Sequence, residues 1–252
     1  MRSVRMLLAA LALAVTSAPA AAEPADVAAA VAAPGRTPDN VKLDEGRKPV
    51  ELLQFLGLET GMQVIDMFGG NKYWAEIIAP AIGPNGHVVV WQPAQFLNDK
   101  RRSEFAEFAA RQGNVTLIST PMETPVLGTA RYDFMIMNLD YHDVYWDNPE
   151  RKIVRMDPDS WLRPLFAAMK PGAVVGIIDH AANPGGDTRE VVKKLHRIDP
   201  AVVRADFERA GFVLDGTSDI LRNPADDRSL LVFDPKIRGK TDRFIFRFRK
   251  PN

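Results

Sequence analysis

The sequence has no cysteine, and its 32 basic residues are matched by 32 acidic ones. Without Cys there is no disulfide, no thiolate metal site, no iron–sulfur cluster, no cysteine nucleophile and no lipid carried on sulfur. Without a basic excess, the counterion release that drives nucleic-acid binding has no source, so nucleic acid is excluded as a partner. Long apolar runs are missing too. The Met6–Val15 stretch is about ten residues, while a membrane span needs ~20, so no stable membrane anchor is expected. What the N-terminus does have is Arg2 and Arg5, then that apolar run, then Ala20-Ala21-Ala22. This three-part order predicts a cleaved signal peptide over 1–22 and a periplasmic or secreted protein; the alternative is an ordinary apolar N-terminal helix. Cleavage would remove two basic residues and leave the mature chain slightly acidic. Residues 23–41, rich in Ala and Pro, read as a flexible lead-in, and 42–252 as one domain.

From residue 50 onward the pattern alternates. Val50 to Leu56 has helical spacing and MQVIDM (62–67) reads as a buried strand. A helix over Tyr73–Ile82, a turn at Gly83-Pro84-Asn85-Gly86 and a second strand, HVVVWQ (87–92), follow. The spacing then predicts a helix over 100–112, strands at 115–119 and 132–139, a helix over 158–169 and a fifth strand at 173–179. A helix over 200–210 precedes strands at 212–221 and 243–249. Strands apolar on both faces, alternating with helices, argue for a doubly wound α/β sheet, mostly parallel. The last two strands have no helix between them and must pair antiparallel, so the sheet ends in a C-terminal antiparallel hairpin.

In such sheets ligands lie beyond the carboxyl ends of the strands. After the first strand comes Asp66-Met67-Phe68-Gly69-Gly70-Asn71-Lys72 and then a helix, a turn that brings backbone N–H donors and small residues to one place. Taken alone it is equally an ordinary strand-to-helix turn. The segment ETGMQVIDM, this turn and WAEIIAPAIGPNGHVVVWQP, together with MKPGAVVGIIDH and LHRIDPAVVRADFERAGF, resembles the class I S-adenosylmethionine (SAM)-dependent methyltransferases. The similarity is greatest to a bacterial group of often exported methyltransferases and covers about residues 44 to 250. It implies a seven-stranded Rossmann-like sheet, SAM as cofactor, and methyl transfer to a small-molecule substrate. Asp66, Phe68, Gly69, Gly70, Gln92 and Asn138 are the implied cofactor residues. Two departures stand out. The motif acidic-x-Gly-x-Gly-x-Gly reads Phe68, Gly70 and Lys72 at its glycine positions, and Gln92 replaces the usual acid at the end of strand two. A Lys at the third position would crowd the methionine moiety. The competing reading is a periplasmic binding or scaffold protein that keeps the fold and has lost the cofactor.

The loop after strand four carries Asp140-Tyr141-His142-Asp143, with Tyr145 and Trp146. By the resemblance it faces the transferred methyl group. His142 is the candidate general base, oriented by Asp143 or Asp140, and Tyr141 a candidate pocket wall; the alternative is a loop closed by its own hydrogen bonds. Asp179-His180, His196 and Asp199 add ligand-type side chains, but no fixed ligand spacing, so no metal is expected. The polar stretch 223–240 is either a substrate lid or a solvated loop.

Overall fold

A computed structural model describes residues 22–252. Apart from Ala22, the expected signal segment lies outside the described residues. The helices are α1 (Val27–Ala32), α2 (Pro38–Val41), α3 (Asp44–Arg47), α4 (Pro49–Leu56), α5 (Tyr73–Ile82), α6 (Asp99–Gln112), α7 (Pro158–Ala168), α8 (Thr188–Leu195) and α9 (Pro200–Arg209). The strands are β1 (Gln63–Met67), β2 (His87–Trp91), β3 (Val115–Ile118), β4 (Tyr132–Asn138), β5 (Met169–His180), β6 (Val213–Ser218) and β7 (Arg243–Arg249). They form one seven-stranded sheet in the order β3-β2-β1-β4-β5-β7-β6, with β7 antiparallel to both its neighbours. The C-terminal hairpin is therefore inserted: β7 pairs with β5 along its whole length, and β6 is left at the edge.

The central strands alternate between two cores. Ile65, Met67, Val89, Met135 and Val175 point to the face covered by α7 and α9, while Val64, Val88, Val90, Phe134 and Val174 point to the face covered by α4, α5 and α1. Both faces are dry, which is why β1, β2 and β4 read as continuous apolar runs. β6, flanked on one side only, exposes every other residue. Its outward charge is used: Asp215 Oδ2 accepts from Arg247 Nε at 2.9 Å and from Arg249 Nε at 2.8 Å.

The lead-in expectation is corrected. Residues 23–41 carry α1 and α2 and are packed, with Ala25, Val27 and Ala30 buried. Asp26 caps α1 by accepting from Ala29 N at 2.9 Å, and Ala25 N donates to Leu58 O at 3.0 Å. Alanine gives a composition that looks like linker, but Val27 and Ala30, three apart, form a stripe that fits against α5. α8 was also not foreseen. Among the described residues, no helix is long and apolar enough to cross a membrane.

Candidate functional site

The chain order reverses between β1 and β4, and the carboxyl ends of these strands open a cleft of about 400 Å³ there. Asp66, Phe68, Gly69, Gly70, Gln92, Asn138 and Asp140 all line it. Six of these are the residues implied as the cofactor set, brought together from three strands. Three buried polar atoms on its walls have no hydrogen-bond partner: Asp66 Oδ2, Asn138 Oδ1 and Trp74 Nε1. Burial without a partner raises the Asp66 carboxyl to about 8, against a smaller opposing pull from Arg47.

Two of the three positions where the resemblance implies glycine are held in the left-handed region by other residues. Phe68 has φ +60° and Lys72 φ +66°, so non-glycine residues hold the left-handed conformation that glycine would adopt freely. Strain of this kind persists where surrounding structure enforces it. At Gly69 a Cβ would meet the Asp66 carboxylate and Val90, and at Gly70 it would meet Gln92. The half-buried Phe68 lines the cleft and packs its ring 5.0 Å from Trp91 and 6.3 Å from Trp161. Lys72 lines the cleft and precedes α5, where Asn71 Oδ1 accepts from Tyr73 N at 3.1 Å. Gln92 Oε1 accepts from Gly70 N at 2.8 Å, which fixes the turn and leaves its Nε2 without a protein partner among the described residues.

Residues that sequence reasoning missed close the cleft from above. Thr37 and Asn40 both donate to the Glu76 carboxylate in the first turn of α5, Asn40 Nδ2 at 2.9 Å. Arg36 and Tyr73 hold Asp44, the former through two bonds of 2.6 and 2.8 Å and the latter through one of 2.8 Å. This ties α2 and α3 down and places Arg47 over the Tyr73 ring at 4.2 Å. No short motif marks this roof, because its members are spread over residues 36 to 76.

Arg47 and Leu139 also line a second cleft of about 690 Å³, walled by α3, the end of β5 and the 220–241 segment. The polar stretch 223–240 is neither a free lid nor merely solvated. Asp226, buried, holds the fully buried Arg197 at 2.9 Å and accepts from Asp242 N at 2.7 Å, while Asp242 holds Arg222 and Arg228. Bidentate, charge-assisted contacts of this kind set the stretch firmly against β5.

The catalytic set expected after β4 is divided. Of Asp140, Tyr141, His142 and Asp143, only Asp140 reaches a cleft, and its carboxyl is pushed up by burial and by Asp143. Tyr141 is buried and its hydroxyl donates to Asp206 at 2.8 Å, joined there by Tyr145 at 2.6 Å; it braces the loop on α9 instead of walling a pocket. His142 is oriented by Asp179, not by Asp143 or Asp140: Nδ1 lies 2.8 Å from Asp179 Oδ1, and His142 N donates to Asp179 Oδ2 at 2.9 Å. Burial alone would lower its pKa, but Asp179 and Asp143 outweigh burial and raise it to about 9. An imidazole that is already protonated has no lone pair to accept a proton, which argues against the general-base role. His180 is the opposite case. It lines the second cleft, its Nδ1 lies 2.6 Å from Thr241 Oγ1, and burial together with the neighbouring His142 pushes its pKa well down. Asp199 caps α9 through Ala201 N at 2.8 Å.

His142, Asp143 and His196 present two nitrogens and an oxygen within 4.8 Å of one another, a spacing that metal ligands adopt. His142 lies between two carboxylates, Nδ1 2.8 Å from Asp179 Oδ1 and Nε2 3.4 Å from Asp143 Oδ1, and His196 Nδ1 lies 3.5 Å from the same Asp143 oxygen.

Comparison with known proteins places the architecture. No family model and no curated protein matches the sequence. Among solved structures, an Aquifex aeolicus SAM-dependent methyltransferase is 19% identical, with a TM-score of 0.56 over 84% of this chain and 93% of that one. A Mesorhizobium loti SAM-dependent methyltransferase gives 14% identity and a TM-score of 0.57 over 82% and 100% of the two chains. The Burkholderia thailandensis 1,6-didemethyltoxoflavin-N1-methyltransferase, solved with its substrate and S-adenosylhomocysteine, gives 16% and 0.55 over 85% and 80%. With this strand order and these neighbours, the chain has the fold of the class I SAM-dependent methyltransferases.

Proposed function

We propose that this chain transfers a methyl group from SAM to a small-molecule acceptor, the cofactor in the first cleft and the acceptor in the second. The observation that carries the reading is the set of buried, unpartnered polar atoms, Asp66 Oδ2, Asn138 Oδ1 and Trp74 Nε1, on the walls of a cleft at the switch point. Buried polar groups are almost always satisfied, and a polar ligand is what completes them. The residues fit the group: Asp66, Asn138 and Trp74 present unpartnered polar atoms, Gly69 and Gly70 lack the Cβ that would crowd Asp66 and Gln92 on the wall, and Gln92 Nε2 is free to donate.

The bound cofactor supplies an activated methyl on a sulfonium. The protein's part is proximity and orientation. Arg47 and Leu139 stand between the two clefts and set the boundary across which the acceptor approaches. Thr37, Asn40 and Asp44 hold the roof that keeps water out of the junction. His180, kept neutral at the mouth of β5, is the group that takes a proton from a hydroxyl or amine acceptor at its free Nε2. His142 and Asp179 brace the wall behind it. Met1–Ala22 is proposed to direct export, which N-terminal sequencing of the protein recovered from its native host would test.

Nitrogen-15 NMR of the four indole N–H groups tests the cofactor assignment. S-adenosylhomocysteine should shift the Trp74 signal, identified by its loss in Trp74→Phe, and leave Trp161 in place. An unmoved Trp74 signal at saturating ligand would overturn the assignment.

A further inference from the structure

The second cleft is strongly and asymmetrically charged. Seven of its lining residues are Lys or Arg and one, Glu45, is acidic. Some of that charge is neutralised locally: Lys42 pairs with Asp39, and Arg222 with Asp242. Arg47, Arg238, Lys240 and Arg243 pair with no carboxylate among the described residues.

Of these, Arg243 is buried and Arg47 half-buried. Arg243 is 3% exposed, and its guanidinium donates only to neutral oxygens: Gly46 O and Gly239 O at 2.7 Å each, and Thr241 Oγ1 at 3.1 Å. A guanidinium has five N–H donors, so two remain. Arg47 makes no hydrogen bond to the protein, and only the Tyr73 ring beneath it and the more distant Asp44, Asp66 and Asp140 temper its charge. Burial, with added repulsion from Arg47, lowers the Arg243 guanidinium to about 10. Burying unpaired charge is expensive, and it is retained where a ligand of opposite sign completes it. Part of the wall is apolar. Leu139, Ile220, Leu43 and Phe233 line the same space, with Phe233 54% exposed.

We propose that the second cleft takes an acceptor bearing a carboxylate or phosphate on an apolar body, its oxyanion held between Arg47 and Arg243 and its body laid along Leu43 and Phe233. This rests on the methyl-transfer reading for the word acceptor, but not for the anion site itself. The shared chemistry is a planar or tetrahedral oxyanion, which a guanidinium fork binds through two parallel N–H bonds. Arg47 borders both clefts, so an anion anchored there lies at the boundary with the cofactor.

The test is a calorimetric titration of the full chain, first with S-adenosylhomocysteine and then, on the loaded protein, with benzoate, phenyl phosphate and benzamide as probes. Benzoate or phenyl phosphate should bind and neutral benzamide should not. Arg47→Gln should weaken the anion roughly tenfold or more, because a charge-assisted bond is lost. Arg243→Gln also releases Gly46 and Gly239 and is apt to disturb folding, so Arg238→Gln serves as the second variant, with a smaller loss. Benzamide binding as tightly as benzoate, no anion binding up to about 10 mM, or an unchanged anion affinity in Arg47→Gln would overturn the proposal. Anion binding without S-adenosylhomocysteine binding would overturn only the methyl-transfer reading; the reverse result would overturn only the anion site.

Discussion

Replacing Asp66 by Asn probes the first cleft through stability alone. Asp66 is 1% exposed, with one carboxylate oxygen unpartnered, and burial lifts its pKa from the ordinary 3.8 to about 8. The folded protein therefore keeps a proton that the unfolded chain has lost across this window. The folded state binds more protons, so stability falls as pH rises, by about 1.4 kcal/mol per unit, until the folded carboxyl ionises near its own pKa. From about pH 6 to about pH 8 the loss due to Asp66 is roughly 2–3 kcal/mol. For a chain of this size that is roughly 5–10 °C in melting temperature. A carboxamide has the shape of the protonated acid but cannot ionise. Asp66→Asn should thus melt close to the parent near pH 4, where both states of the parent are protonated, above it at about pH 6 and further above it near pH 8. The readout is the difference between the two proteins, since every other titrating group is common to both. Parallel pH dependences would refute the argument that Asp66 is buried and unpaired.

Three further outcomes are expected. Lys72→Gly relieves a left-handed residue and should stabilise the protein by about 0.5–1 kcal/mol in urea denaturation; destabilisation would show that the Lys72 side chain contributes packing worth more than the strain. His142→Ala leaves the fully buried Asp179 carboxylate without its partner and should cost about 3–5 kcal/mol of stability. A variant that melts like the parent yet transfers no methyl would instead restore His142 to a catalytic role. Dialysis against EDTA should leave the melting temperature unchanged, because Asp179 Oδ1 already fixes the His142 ring at 2.8 Å without a metal; a marked drop would establish a structural metal there.

The fold was legible because local pattern and tertiary role agree. β1, β2 and β4 are buried on both faces, so their apolar runs stand out, and RFIFRFR keeps strict alternation because β7 lies between two strands with its ends at the rim. The glycine turn was found through Asp66, Gly69 and Gly70, but composition at Phe68 and Lys72 hid the left-handed backbone that both positions adopt. The cluster after β4 was read as one catalytic group, and the structure divides it, with only Asp140 of the four lining either cleft. What decides its roles is Asp179 on β5 and Asp206 on α9, tens of residues away, and no periodicity reveals which carboxylate a histidine will meet. The roof was missed for a related reason. An Ala- and Pro-rich stretch looks featureless until Glu76 supplies partners for Thr37 and Asn40. The unpaired arginines of the second cleft are likewise visible only in space, since Arg47 and Arg243 stand at opposite ends of the chain.

The central claim is that the cleft between β1 and β4 is a SAM site, and calorimetric titration of the purified chain with SAM and S-adenosylhomocysteine tests it most directly. One-to-one binding with a Kd in roughly the micromolar range, abolished in Gly69→Val because that side chain would displace Asp66 and Val90, is the predicted result. Absence of heat for both ligands up to about 1 mM, or binding that Gly69→Val leaves intact, would contradict it.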